Sequence, residues 1–449
     1  MNLYNKSKVV MKYNYYKLVT ISLFLFVFNT TEAEDKFAFT IDKMTFSLVN
    51  TKEVAIENIE VPKDGKVIFP SEILYNDKTF KVSTLGGAYE GDPWGTLFKN
   101  PEALVTVVIP STINHISVKT TSAWSCCQQF YGCINLKKVI IEDSDMELFF
   151  PCNDEKSDVR EALFAQCPLE EVYIGRNINY YRWERYGWSE ITMYKNFGSP
   201  FKKSKNLKKV EFGEKVTEIH KGMFCGCIKL EKIKLSEKIK EIPVCTFLNC
   251  SALSSIDLPT GLIKIDHYAF SGSSLSSLIL PPDIEVLGQF VCEYCNSLKE
   301  IIINDNLKEI PYKAFNRCNN IKNVVIGKSV EKIKDEAFAG SNIQQIESKI
   351  EDPSKCKFNS HCFDLSTYTF ATLYVPIGTK NKYENEKNSW GNFLTILERE
   401  ATEINDLKSD VSQSLEERFL MNGLQINKPQ KGINIIKMSD GTSKKIFVK

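Results

Sequence analysis

Seven stretches of the chain repeat one pattern of apolar and polar positions: LKKVEF from Leu207, LEKIKL from Leu230, LSSIDL from Leu253, LSSLIL from Leu275, LKEIII from Leu298, IKNVVI from Ile321 and IQQIES from Ile343. Their first residues lie 23, 23, 22, 23, 23 and 22 positions apart. Side chains alternate along an extended strand, so the fourth and sixth positions share a face and the fifth points the other way. About ten residues on, a second apolar pair recurs: Val216/Ile219, Ile239/Ile242, Leu262/Ile265, Ile284/Leu287, Leu307/Ile310 and Val330/Ile333. A phenylalanine follows each pair: Phe224, Phe247, Phe270, Phe290, Phe315 and Phe338. A coil of about 23 residues cannot bury its own apolar edge, so neighbouring coils must stack and share one core. The pattern predicts a strand-rich, α/β-type repeat solenoid with a parallel sheet along one face, its strands about 4.8 Å apart. Looser coils extend it backwards at Leu169, Leu136 and Leu104, where spacings of 38, 33 and 32 imply an insertion in each.

The segments LSSIDLPTGLIKIDHYAFSGSS and LKEIPYKAFNRCNNIKNVVI resemble the BspA-like leucine-rich-repeat family over about residues 85–350. The resemblance implies a surface-exposed or secreted bacterial protein, of a kind implicated in adhesion to host matrix or to other cells. Residues 34–84 resemble the family's β-rich N-terminal cap, and residues 351–400, with LYVPIGTKNKYENEKNSWGNFLTILE, its C-terminal cap. Tyr383, Trp390, Phe393 and Ile396 are suited to sealing the open end of the last coil, which a solenoid needs for solubility.

Both ends carry addresses. Lys6, Lys8, Lys12 and Lys17 precede the apolar run Leu18–Phe28, and Ala33 follows as a small residue at a cleavage position. The run is well short of the roughly 20 residues needed to span a bilayer. Residues 1–33 therefore read as a signal peptide, with Met1 or Met11 as the start, and no later segment is apolar enough to cross a membrane. Residues 401–417 are a polar linker. In residues 418–449, Gly423, Pro429, Gly432 and Asp440-Gly441 punctuate short alternating strands and predict a small β-module. That module resembles the C-terminal sorting domain of the type IX secretion system, through Gly423, Pro429, Lys431, Gly432, Ile433, Ile435, Gly441, Lys445, Val448 and Lys449. Asn434 stands where an aromatic is common. The resemblance implies passage across an outer membrane and then removal of the tail.

Composition narrows the function. The net charge is +1, from 57 basic and 56 acidic residues, and no basic cluster offers the footprint that nucleic acid requires. Fourteen cysteines in an exported chain suggest disulfides. Yet Cys133, Cys227, Cys250, Cys295 and Cys318 each stand three residues before a strand, a repeat position filled by Gly272 in the Leu275 coil. That favours small buried hydrophobes over bridges, although stacked neighbours such as Cys227/Cys250 and Cys295/Cys318 come within disulfide reach. Cys126-Cys127, Cys225/Cys227 and Cys292/Cys295 are not followed by a partner pair at zinc spacing. Of the histidines His115, His220, His267 and His361, none joins a cysteine and an orienting group in a catalytic pattern. The expectation is no enzyme, no cofactor and no metal.

Two features point to binding. The fifth strand positions read Glu211, Lys234, Asp257, Ile279, Ile302, Val325 and Glu347. The first three alternate in charge and can pair across strands. Ile279, Ile302 and Val325 form an apolar stripe, either an exposed interaction site or a surface covered by a neighbouring loop. The second feature is the insertion after Gly175, with Tyr180, Tyr181, Trp183, Tyr186, Trp188, Tyr194 and Phe197 among arginines and glutamates. Tyr, Trp and Arg dominate binding hot spots, and rings stack on sugars; the alternative is a lid on the solenoid flank. The sequence thus reads as an adhesin-like, monomeric binding protein for a protein or glycan at a cell surface or extracellular matrix. The rival is a structural surface component that self-associates.

Overall fold

Most coils give one strand to a lateral parallel sheet, then turn and give a shorter strand from the second apolar pair to another sheet. The computed structural model describes residues 38–86, 97–116, 128–130, 132–150, 163–164, 166–180, 199–359, 361–387 and 389–400, and the backbone of 415–420, 432–438 and 443–448. All belong to the unit Phe37–Lys449.

The lateral face consists of two six-stranded parallel sheets. The first runs through Lys66–Ile68, Thr106–Ile109, Lys138–Ile141, Glu171–Ile174, Lys209–Phe212 and Lys232–Lys234. The second runs through Ser277–Ile279, Glu300–Ile302, Asn323–Ile326, Gln345–Ser348, Thr372–Pro376 and Thr395–Arg399. The Leu253 coil separates them and forms no strand on this face, where Asp257 is a poor strand former; its strand Lys264–Ile265 belongs to the other sheet. The repeat sheet starts as early as Lys66–Ile68. The first 50 described residues also form an antiparallel set, Ala38–Ile41, Met44–Leu48 and Glu53–Ile59, which continues through Lys78–Leu85 into the coil strands His115–Ile116, Leu148–Phe150 and Ile178–Tyr180.

A column of phenylalanine rings runs up the core. Consecutive centroids are 6.4 Å apart for Phe69–Phe98, 5.5 Å for Phe98–Phe130, 4.7 Å for Phe130–Phe164 and 5.5 Å for Phe164–Phe201. It continues through Phe224, Phe247 and Phe270 at 5.9, 5.9 and 5.5 Å, and resumes as Phe315, Phe338 and Phe363 at 5.3 and 5.0 Å. Phe290 does not belong to this column, contrary to the repeat alignment. Backbone bonds Phe270 N to Val291 O and Cys292 N to Ala314 O place Cys292 at the phenylalanine level. Phe290 instead stacks on Tyr268 at 4.5 Å in a small outer cluster with Cys225, Val244, Cys245 and Leu248.

The cysteines form a second ladder. The described ones are free and buried. Cys227, Cys250 and Cys295 donate to the carbonyls of Phe201, Phe224 and Phe270, one coil back, at 3.2, 3.2 and 3.1 Å, and Cys318 donates to Cys292 O at 3.0 Å. The ladder place in the Leu275 coil is held by Ser273 rather than Gly272: Ser273 N bonds Phe270 O as Cys250 N bonds Phe247 O. Coils that step by 22 residues put a serine there, Ser273 or Ser341. Gly272 occupies the preceding left-handed turn position, with φ of 69°, where Gly340 also sits at 74°.

Tyr383, Trp390, Phe393 and Ile396 are buried against the last coil. The Tyr383 hydroxyl donates to Ile350 O at 2.6 Å, and Trp390 packs edge-on to Phe358 at 4.6 Å. The tail forms an antiparallel three-stranded sheet from Leu415–Leu420, Gly432–Met438 and Ser443–Val448. Its first strand therefore begins within the segment read as linker. Among the described residues no helix is long and apolar enough to cross a membrane.

Candidate binding surfaces

The fifth strand positions do not make an exposed apolar stripe. Ile302 and Val325 are buried and only Ile279 is half-exposed. The three stand side by side in register, continuing to Glu347 and Tyr374. Interior members of such a row are flanked on both sides at strand spacing, whereas Ile279 lies on the sheet's edge strand. Glu347 is buried as well, paired with the Arg399 guanidinium. In the first sheet the expected charge pairing holds for Glu211 and Lys234, 3.1 Å apart, while Asp257 is exposed outside any strand.

Tyr180 is not a loop aromatic. It closes the strand Ile178–Tyr180, is buried, donates its hydroxyl to Lys221 O at 2.9 Å and packs edge-on to His220 at 5.4 Å. Strand alternation turns it inward with Ile178, so it anchors the insertion rather than presenting a surface. Tyr181, Trp183, Tyr186, Trp188, Tyr194 and Phe197 lie outside the described residues.

The thiols are packed rather than poised for reaction. Burial pushes Cys167, Cys356 and Cys362 up to about 12, and raises Cys225, Cys227, Cys245 and Cys250 as well. A thiol held protonated is a poor nucleophile. Burial likewise depresses His115. His267 accepts a bond from Gln289 N at 2.8 Å through Nδ1. Cys362, the neighbour of His361, donates to backbone carbonyls of Ile333 and Asn359. Among the described residues no group of three or more His, Cys, Asp or Glu side chains is placed to hold a metal.

The surface that sequence reasoning missed lies in the C-terminal cap. Leu365, Phe370, Ile377, Leu394 and Leu397 are all exposed. The short helix Leu365–Phe370 buries Thr367 and leaves Leu365 and Phe370, at its two ends, more than 80% exposed. Beside it runs a groove of about 350 Å³, bordered by the turns of the Ile321 and Ile343 coils and by the helix. Asn319, Asn320, Asn342, Gln344 and Ser366 line it, with Phe370 at its rim. The run of asparagines just before the strands, Asn319-Asn320 and Asn342, is the signal in the sequence that could have drawn attention here.

Residues 196–299 and 285–380 match, in six copies, the family described as BspA type leucine-rich repeat region. Solved structures similar to this chain include a leucine-rich repeat protein from Bacteroides ovatus, 19% identical, covering 81% of this chain and all of that one with a TM-score of 0.37. A leucine-rich cell surface protein from Faecalibacterium prausnitzii is 17% identical, covering 84% of this chain and 97% of that one, with a TM-score of 0.31. A leucine-rich repeat protein from Eubacterium ventriosum is 14% identical, covering 68% of this chain and 85% of that one, with a TM-score of 0.28. Among curated proteins, no match is found.

Proposed function

We propose that this is an exported surface protein that works by binding rather than by turnover, holding a protein or glycan at a cell surface or in extracellular matrix in the manner of an adhesin. The observation that carries the reading is that the C-terminal cap leaves five large apolar side chains exposed, Leu365, Phe370, Ile377, Leu394 and Leu397, and exposed apolar surface is what interaction sites use. The leader Leu18–Phe28 supplies export, and the β-module from Arg418 onward supplies sorting across an outer membrane. Protease shaving of intact cells tests location. The reading expects released fragments from residues 38–400 and a mature protein lacking the tail; protection with the tail retained defeats it. Binding is tested with the purified chain on immobilised matrix proteins and glycans, and indifference to all of them removes the adhesin role.

One observation favours self-association as a second reading. Among the described residues Thr395–Arg399 is the terminal strand of its sheet, and a sheet's edge strand is a template for pairing with another copy. Light scattering at high concentration separates the two, since a monomer disfavours assembly.

A further inference from the structure

We propose that the groove beside the helix Leu365–Phe370 is a binding site for a neutral saccharide. This names the ligand class for the binding role proposed above and rests on that reading. Of the ten residues lining the groove, seven carry an amide or a hydroxyl and none of the ten is a carboxylate. Amides and hydroxyls both donate and accept, which is the pairing that a ring of sugar hydroxyls demands and that a charged ligand does not. Lys322 is the single cation. Asn320 gives its amide to Asn296 O at 2.6 Å, which leaves its carbonyl oxygen as an acceptor.

Two further observations favour a sugar. Phe370 stands at the rim with 81% of its surface exposed, a rigid apolar face of the kind that packs against the C–H side of a pyranose. Ser366, on the same helix, adds an exposed hydroxyl to the groove lining. A volume of about 350 Å³ lies at the small end of ligand sites, suited to the terminal one or two rings of a chain rather than to a folded epitope.

The experiment is isothermal titration, with saturation-transfer NMR as a second readout, of the full chain against neutral oligosaccharides of glucose, mannose, galactose and N-acetylglucosamine, and against sialylated counterparts. The expected result is binding of at least one neutral series, weakened about tenfold or more by Phe370→Ala and by Gln344→Ala, a loss of about 1.4 kcal/mol or more per variant. Melting temperature stays unchanged in Phe370→Ala, because the ring is solvent-exposed. No binding by any neutral series, equal binding by wild type and Phe370→Ala, or binding of sialylated sugars alone each overturns the assignment. Adhesion to cells and matrix is measured on the same variants. Wild-type adhesion that survives Phe370→Ala sinks the groove while leaving the adhesin reading intact; adhesion absent from wild type sinks the broader reading.

Discussion

The guanidinium of Arg399 closes on the carboxylate of Glu347, 52 residues earlier, across the sheet's penultimate strand. On the way it lies over the Tyr374 ring, 4.1 Å from the centroid. Glu347 is buried, Arg399 is about one-third exposed, and burial lowers the arginine's pKa. The pair ties the last strand, Thr395–Arg399, to Gln345–Ser348 without a direct ladder between them.

Removing one partner strands a buried charge, which is costlier than removing both. Arg399→Ala is expected to destabilise the chain by about 2–4 kcal/mol, the partial exposure of the arginine keeping it below the fully buried limit. Glu347→Leu combined with Arg399→Leu is expected to recover most of that. Urea unfolding of the two variants checks it; equal losses would show that the pair acts only through packing.

Alkaline pH should weaken the fold through the thiols. Cys167, Cys356 and Cys362 rise from an ordinary 9.0 to about 12 on folding, first because of burial. The folded chain therefore holds these protons more tightly than the unfolded one, so their contribution is complete below pH 9 and is lost as pH climbs through 12. The urea midpoint is expected to fall across that window, and less steeply after Cys356→Ala with Cys362→Ala. An identical slope in both proteins would assign the effect to other groups.

Phe247 sits in the ring column between Phe224 and Phe270 and is fully buried. Phe247→Ala leaves a cavity in a stack that cannot collapse around it, at a cost of about 3–5 kcal/mol. Phe290→Ala is expected to cost less, because that ring belongs to the outer cluster with Tyr268 and Tyr312. Thermal unfolding of both variants ranks them; the reverse order would restore Phe290 to the column.

Gly288 is needed for closeness rather than for turning. A methyl group there would meet the backbone of Asp266 and His267 in the previous coil. Gly288→Ala is expected to destabilise by about 2–3 kcal/mol through overpacking. A melting temperature equal to wild type would mean that neighbouring coils separate freely.

The cysteine ladder shows how far periodicity reaches. Spacing alone marked Cys227, Cys250, Cys295 and Cys318 as equivalent and buried, and each indeed donates to a carbonyl one coil back. It misplaced Gly272, in a coil shortened to 22 residues, because a count along the chain cannot say where within a coil the missing residue is absorbed; the backbone bonds decide it, at Ser273. Phe290 was misplaced by residue type instead: the other rings stand five residues after the second apolar pair, Phe290 only three after Leu287, and Cys292 holds the regular place.

The sequence by itself determined the repeat, the inward faces of the strands, the second apolar pair and the aromatic seal of Tyr383, Trp390, Phe393 and Ile396, because all of these follow from local alternation and from a coil's need to hide its apolar edge. Which outward residues meet solvent was decided only by tertiary structure. Ile302, Val325 and Glu347 are buried although they stand at outward strand positions. The physical reason is that an outward side chain is covered or bared by residues distant in the chain, as Arg399 covers Glu347, and such pairings leave no period to read.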